Sequence, residues 1–267
     1  MIDMHVSLSL AYGQHPRQQV DVMVPERLQG KVVIVLCHGG WWSQGRHQEL
    51  RSLALFLNEQ GFATINVGTR LLNDGARSGQ DIIDDVKAGV AKALDEAAIH
   101  GASDHSVIFM GSGSGSLTAL TTAMQLFNDE RIRVRGFIGC GVTPTLEVWE
   151  GCSTTTSKIL EQFSGHTRQL LNPMEMPADR LPPLFLIHGD SDNEVPARLA
   201  QRLHARAIEA NEDSHLIVLT GIGHSFIEQP YERSGKNALE RLMPFLHAHV
   251  NEPDSAELFL GHCSTPE

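Results

Sequence analysis

Residues 107–118 read Val-Ile-Phe-Met-Gly-Ser-Gly-Ser-Gly-Ser-Leu-Thr. An apolar strand ends at Met110, a Gly/Ser burst follows, and a helical stretch runs from Leu117 to Leu126. This is the outline of a nucleophile elbow, a sharp strand-to-helix turn that holds up a hydroxyl for acyl transfer. Such a turn admits only small residues two positions either side of the nucleophile, and Gly111 and Gly115 fill those places. The residue between them is Gly113, so the spacing reads as a nucleophile position without a nucleophile. Two other frames stay open. Ser114 as nucleophile would be flanked by Ser112 and Ser116, at the cost of shifting the strand by one residue. Ser112 would put Met110 at a small position, which the turn should reject.

The partners of an acyl-transfer site follow in the order they need. His38-Gly39-Gly40-Trp41 closes an apolar run, and glycines there let backbone N–H groups face a developing oxyanion. In Leu186-Ile187-His188-Gly189-Asp190-Ser191-Asp192, a strand ends and a loop presents Asp192, placed to orient an imidazole. Asp190 and Glu194 also read as solvated loop charges or helix caps. Gly221-Ile222-Gly223-His224 puts His224 on a glycine-flanked loop as the base. The chain has 14 histidines, and the order elbow, Asp, His is what singles out His224. His38 and His188 read as structural neighbours.

These pieces need strand ends to hold them. Val6, Leu8 and Leu10 alternate with polar residues, as do Val20, Val22 and Val24, predicting an edge hairpin. Lys31–Cys37 reads as a strand covered on both faces, residues 47–60 as a helix, and Phe62–Val67 as a strand. Residues 81–99 form an amphipathic helix, with Ile82, Val86, Val90, Ala93, Leu94 and Ala97 on one stripe and Asp81, Asp85, Lys92 and Asp95 off it. Strands follow at 106–110, 134–140, 184–188 and 215–220, with helices from about 115, at 196–210 and at 236–249. Pro196 suits a first helical turn, and Pro244 should kink the last helix. The alternation implies an α/β fold, a mostly parallel twisted sheet with helices on both faces. Residues 1–250 read as one domain, 142–180 as a small cap within it, and 251–267 as a polar tail.

Composition bounds the rest. Length 267, 41% hydrophobic and 20% charged residues fit a globular domain with a substantial core. A net charge of −11 argues against a nucleic-acid partner. The N-terminus carries no signal-peptide pattern, and no apolar stretch would cross a bilayer. Cys37, Cys140, Cys152 and Cys263 form no C-x-x-C pair, which favours a reducing, cytoplasmic setting. No His/Asp cluster has ligand spacing, so neither metal nor cofactor is expected.

The chain resembles the α/β-hydrolase fold, and within it the esterase and lipase branch containing feruloyl-esterase-like and kynurenine-formamidase-like enzymes. The resemblance rests on His38-Gly39-Gly40-Trp41-Trp42, the segment from Asn58 through Arg70 and Leu71, the elbow, His188 to Asp192 with Val195-Pro196, and Gly223-His224-Ser225-Phe226. It covers roughly residues 19–250. It implies hydrolysis of a small-molecule ester or amide, with Asp192 and His224 completing a triad. It further implies an oxyanion hole from the N–H groups of Gly40, Trp41 and Ser114. The departure is Gly113 where the family carries Ser, from natural loss or deliberate replacement. On this reading the chain is inactive or impaired as written; the alternatives are a ligand-binding pseudohydrolase, or an active esterase using Ser114. Trp41, Trp42, Trp149 and Phe226 are expected to line a pocket for an apolar acyl or aryl group. Oligomeric state is not legible.

Overall fold

A computed structural model describes residues 3–210 and 212–250. The expected tail and Cys263 lie outside the described residues. Eight strands form one sheet in the order β1-β2-β4-β3-β5-β6-β7-β8. The edge hairpin pairs β1 (Met4–Ala11) with β2 (Gln19–Pro25), and β2 runs antiparallel to β4 (Ala63–Val67). From β4 onward the sheet is parallel, through β3 (Val33–Cys37), β5 (Ser106–Ser112), β6 (Arg133–Cys140), β7 (Leu184–Gly189) and β8 (Ser214–Leu219). The central strands are apolar along their length because helices cover both faces.

On one face, Leu53, Ala54 and Leu57 of α1 (Arg51–Glu59) and Ala238, Leu239 and Leu242 of α7 (Arg233–Val250) pack against Ile34, Leu36, Ile108 and Met110. On the other, α2 (Gly79–Ile99), α3 (Ser114–Gln125) and α6 (Arg198–Glu209) cover Val33, Val35, Val107 and Phe109. Between β6 and β7 lie α4 (Thr154–Ser164) and α5 (Arg168–Leu171). Leu160, Phe163 and Leu171 from this segment pack with Trp42, Ile82, Ile83 and Leu117 in a third apolar cluster. Helix α7 continues through Pro244, and α6 begins at Arg198, so Pro196 precedes the helix rather than opening it.

Two carboxylates expected on the wet side of α2 are buried. Asp85 accepts from the Arg70 guanidinium at 2.7 Å, from the Arg70 N–H at 2.9 Å and from Gln18 at 2.8 Å. Asp81 pairs with Arg77 at 2.8 Å. Burial of either is tolerable only because each is paired and hydrogen-bonded. The Asp85 network ties the segment after β4 to α2, one of the supports under the site.

The parallel pairing brings the chemistry together. Cys37 of β3 is level with Gly111 of β5, and Ser112 is level with Cys140 of β6. The loops after β3, β5, β7 and β8 therefore emerge side by side at the carboxyl ends of the strands, where such sheets place their sites.

Candidate active site

Strand β5 ends at Ser112 and α3 begins at Ser114, leaving Gly113 alone to make the turn. Its backbone sits at φ 53°, ψ −126°, a region that strains any residue with a Cβ. The Gly113 N–H donates to Cys140 O at 3.0 Å, and Ser116 Oγ donates to Gly113 O at 2.6 Å, fixing both ends of the residue. A Cβ at 111 would overlap the carbonyl of Gly115, and a Cβ at 115 would overlap the carbonyls of Cys37 and His38. That steric limit is why the small-residue frame falls on Gly111 and Gly115.

The three candidate positions point three ways. A Cβ at residue 113 would stand 2.7 Å from His224 Nε2. Ser112 Oγ instead donates to Glu228 Oε1 at 3.3 Å. Ser114 Oγ accepts the Trp41 N–H at 2.8 Å. Residue 113 thus has its side-chain direction aimed at the imidazole, and it carries no side chain.

Behind His224 lies Asp192. His224 Nδ1–H donates to Asp192 Oδ2 at 2.6 Å, leaving Nε2 directed at the elbow. Asp192 Oδ1 accepts the N–H groups of Glu194 and Val195 at 2.9 and 2.8 Å. His188, fully buried, accepts the Val142 N–H on Nδ1 at 3.0 Å, so its proton is on Nε2. That proton faces Val195 O at 2.8 Å and Asp192 Oδ2 at 3.1 Å. Burial acts to raise the Asp192 pKa, but the bonds from His188, His224 and the Val195 N–H outweigh it and hold the carboxyl well below the usual range. Burial acts to lower the His224 pKa; the bond to Asp192 and the nearby charges of Asp192, Glu194 and Glu228 overcome it and raise it. His188 therefore does more than its sequence position indicated: it braces the carboxylate that holds His224. Asp190 sits outside this network and accepts the Gly221 N–H at 2.7 Å.

The turn after β3 supplies backbone donors. Gly40 has φ 103°, and Trp41 and Trp42 follow at φ 51° and 53°, an unusual conformation for bulky residues. Arg17 holds this loop from the hairpin, donating to Gly45 O at 2.6 Å and Thr69 O at 2.9 Å. Of the three N–H groups expected to face an oxyanion, that of Trp41 is engaged by Ser114 Oγ. The Ser114 N–H opens helix α3 and has no intrahelical partner. His38, beside the same cavity, bonds Gly39 O through Nδ1 at 2.7 Å, and burial pushes its pKa down to about 4, so it is neutral.

The cavity over Gly113 measures about 510 Å³, and Trp41, Arg46, Glu49, Glu194, His224 and Glu228 are among its walls. It is more polar than the sequence suggested. Trp42 is buried away from it, stacked on Phe163 at 3.9 Å and bonded to Thr118 at 2.8 Å. Trp149 stacks on Trp41 at 6.2 Å without reaching the cavity, and Phe226 packs into the core beneath α7. Of the expected aromatic lining only Trp41 remains, its indole N–H 3.5 Å from Glu194. Glu228 was missed by spacing arguments, since an acid four residues past His224 carries no signature. Burial raises its pKa, against the pull of the Ser112 hydroxyl and His224. Among the described residues, the site's own His, Cys, Asp and Glu side chains form no group that could hold a metal ion.

A mostly parallel eight-stranded sheet with helices on both faces, and a strand-to-helix turn facing an Asp–His pair, define the α/β-hydrolase fold. The BD-FAE family model matches residues 20–137. The isoprenylcysteine alpha-carbonyl methylesterase ICME of Arabidopsis thaliana is 23% identical over 92% of the chain and 63% of its own length. A probable isoprenylcysteine alpha-carbonyl methylesterase of Oryza sativa is 22% identical over 96% of the chain and 65% of its own length. The chain thus spans just under two thirds of these relatives. Among solved structures, esterase B of Lactobacillus rhamnosis superposes with a TM-score of 0.79 at 22% identity, covering 96% of this chain and 90% of that one. Thermogutta terrifontis esterase 2 gives 0.74 at 17% identity, covering 93% and 96%. No helix among the described residues is long and apolar enough to cross a membrane.

Proposed function

We propose that this chain carries the site of a serine-hydrolase-type esterase with its nucleophile position vacated at Gly113. Asp192 would be the triad acid and His224 the base. In the Gly113→Ser variant, His224 would take the hydroxyl proton as the oxygen attacks a carboxylic ester or amide, and return it to the leaving group. The Ser114 N–H and the Gly40–Trp41 turn would hold the oxyanion. As written, the chain binds such a substrate and hydrolyses it poorly, through water activated by His224. The observation that supports this most is the aim of His224 Nε2 at the glycine that alone makes the elbow, 2.7 Å from where a Cβ would stand.

The names of the relatives support the bond type, a carboxylic ester, and the polar cavity favours a small substrate over a long apolar one. We read residues 142–180 as a small cap on a single domain. We also place the protein in a reducing, cytoplasmic setting, since Cys37, Cys140 and Cys152 are free and burial pushes the first two thiols up to about 12.

The test is p-nitrophenyl acetate turnover and fluorophosphonate labelling of the chain, of Gly113→Ser, and of Gly113→Ser with His224→Ala. Labelling and turnover confined to Gly113→Ser support the reading. Labelling of the unaltered chain at Ser114 would overturn it, as would a Gly113→Ser enzyme that neither labels nor turns over.

A further inference from the structure

Two histidines and a glutamate that the hydrolase site does not use meet at the edge of the sheet. His5 lies on β1, the outermost strand. Glu96 lies near the end of α2, and His100 caps it. Four residues apart, they share one face of the helix. His5 Nε2 is 3.5 Å from Glu96 Oε1, and His100 Nε2 is 4.0 Å from the same oxygen. One donor atom from each of the three residues lies within 4.8 Å of the other two. The imidazoles stack with centroids 3.3 Å apart and planes at 19°. Ser7, two residues along β1, donates its hydroxyl to Glu96 Oε1 at 2.8 Å and lies 3.0 Å from His5 Nε2. The side chains of His5, Glu96 and His100 are 37%, 24% and 29% exposed, so an ion has access and the donors retain support.

We propose that His5, Glu96 and His100 form a binding site for a zinc-like divalent cation. The donor set fits that class. Two imidazoles and one carboxylate are three protein ligands of a tetrahedral zinc site, with water as the fourth. Borderline nitrogen donors favour zinc, nickel and copper over magnesium or calcium. Ser7 supplies the outer hydrogen bond that fixes a ligating carboxylate. Coordination uses the lone pair of His5 Nε2, so the ring carries its proton on Nδ1 in the bound form. The stacked rings must also splay for both lone pairs to converge at about 2.0–2.1 Å from one ion, and their partial exposure leaves room. The bound ion would tie the edge strand to α2 and so secure a strand with no neighbour on its outer side. Sequence spacing gave no sign of this group, because His5 and Glu96 lie far apart along the chain and only the hairpin's place beside α2 brings them together.

The experiment is calorimetric titration of the full chain with Zn²⁺ alone, compared with His5→Ala/His100→Ala and with Ser7→Ala. The chain should take up one more equivalent of Zn²⁺ than the double histidine variant, whatever its other histidines bind. Ser7→Ala should weaken that equivalent by on the order of tenfold. Zn²⁺ should raise the Tm of the unaltered chain and not that of the double variant. Circular dichroism checks that the variants fold. If the double variant does not, the single variant His100→Ala, at the helix end, takes its place with the same expectation. Equal stoichiometry and affinity in chain and variant would overturn the site, and this result would leave the hydrolase reading untouched.

Discussion

The backbone N–H of Trp41 donates to the hydroxyl of Ser114 at 2.8 Å. Both residues belong to the proposed oxyanion hole, one on the turn after β3 and the other at the first position of α3. A hydroxyl seated on that N–H competes with a developing oxyanion for it. Ser114→Ala in the Gly113→Ser background should therefore raise kcat, by on the order of tenfold, since one such donor is worth roughly 10²–10³ in rate and Gly113→Ser alone still has the others. KM should change little. Steady-state kinetics of the two variants decide it; a fall in kcat would mean that the hydroxyl itself stabilises the oxyanion.

Gly113→Ser should gain esterase turnover and lose stability. The backbone at φ 53° strains any Cβ, at a cost of about 1–3 kcal/mol. The new Cβ also stands too close to His224 Nε2 at 2.7 Å, so the imidazole must withdraw before a hydroxyl can face it. A Tm lowered by several degrees, with measurable p-nitrophenyl acetate turnover, is the expected pair of results; an unchanged Tm would contradict the strain argument.

His188→Ala should destabilise the fold by more than about 2 kcal/mol, because it opens a buried cavity and leaves the Val142 N–H without a partner. In the Gly113→Ser background it should also lower kcat, as Asp192 loses a brace. Chemical denaturation and kinetics separate the two effects; full stability with reduced kcat would confine His188 to positioning.

The pH dependence follows from His224. Its pKa is raised above the ordinary imidazole value by Asp192 and the neighbouring carboxylates, against burial. Gly113→Ser turnover needs neutral imidazole, so kcat/KM should climb with a midpoint above about 6.5. Glu228→Gln should move that midpoint down. For stability the sign is opposite: a raised imidazole pKa contributes fully below the unfolded value near 6.5 and is lost as pH rises through the folded value. Tm of the unaltered chain should therefore fall more between about pH 6 and pH 9 than Tm of His224→Ala; equal falls would refute the coupling.

The fold was legible because strand and helix periods alternate cleanly from Lys31 to Val250, and the tight turn between β5 and α3 because Gly111 and Gly115 are the residues such crowding demands. Chain order alone pointed to the meeting of Asp192 and His224. The lining of the cavity was not legible. Trp42, Trp149 and Phe226 are large and were expected around the site, but apolar area is drawn into the clusters beneath the segment after β6 and beneath α7. The polar walls, Glu49, Glu194 and Glu228 among them, come from three separate segments whose meeting depends on the sheet order. The burial of Asp81 and Asp85 was hidden for the same reason. Periodicity places a side chain on a helix face, and only the partner, Arg70 or Arg77, makes a buried carboxylate tolerable.

The turn at 111–115 takes its shape from backbone crowding around Gly111 and Gly115 and from the positive φ of Gly113, none of which needs a hydroxyl at 113. The cradle and its Asp–His pair thus keep their geometry without a hydroxyl between them. On the proposed reading, an ester that settles over Gly113 meets no acylation step, so it leaves by dissociation or by slow attack of water activated by His224. Where dissociation outpaces that slow attack, the unaltered chain would serve as a bait for its own ligand, recoverable by native mass spectrometry.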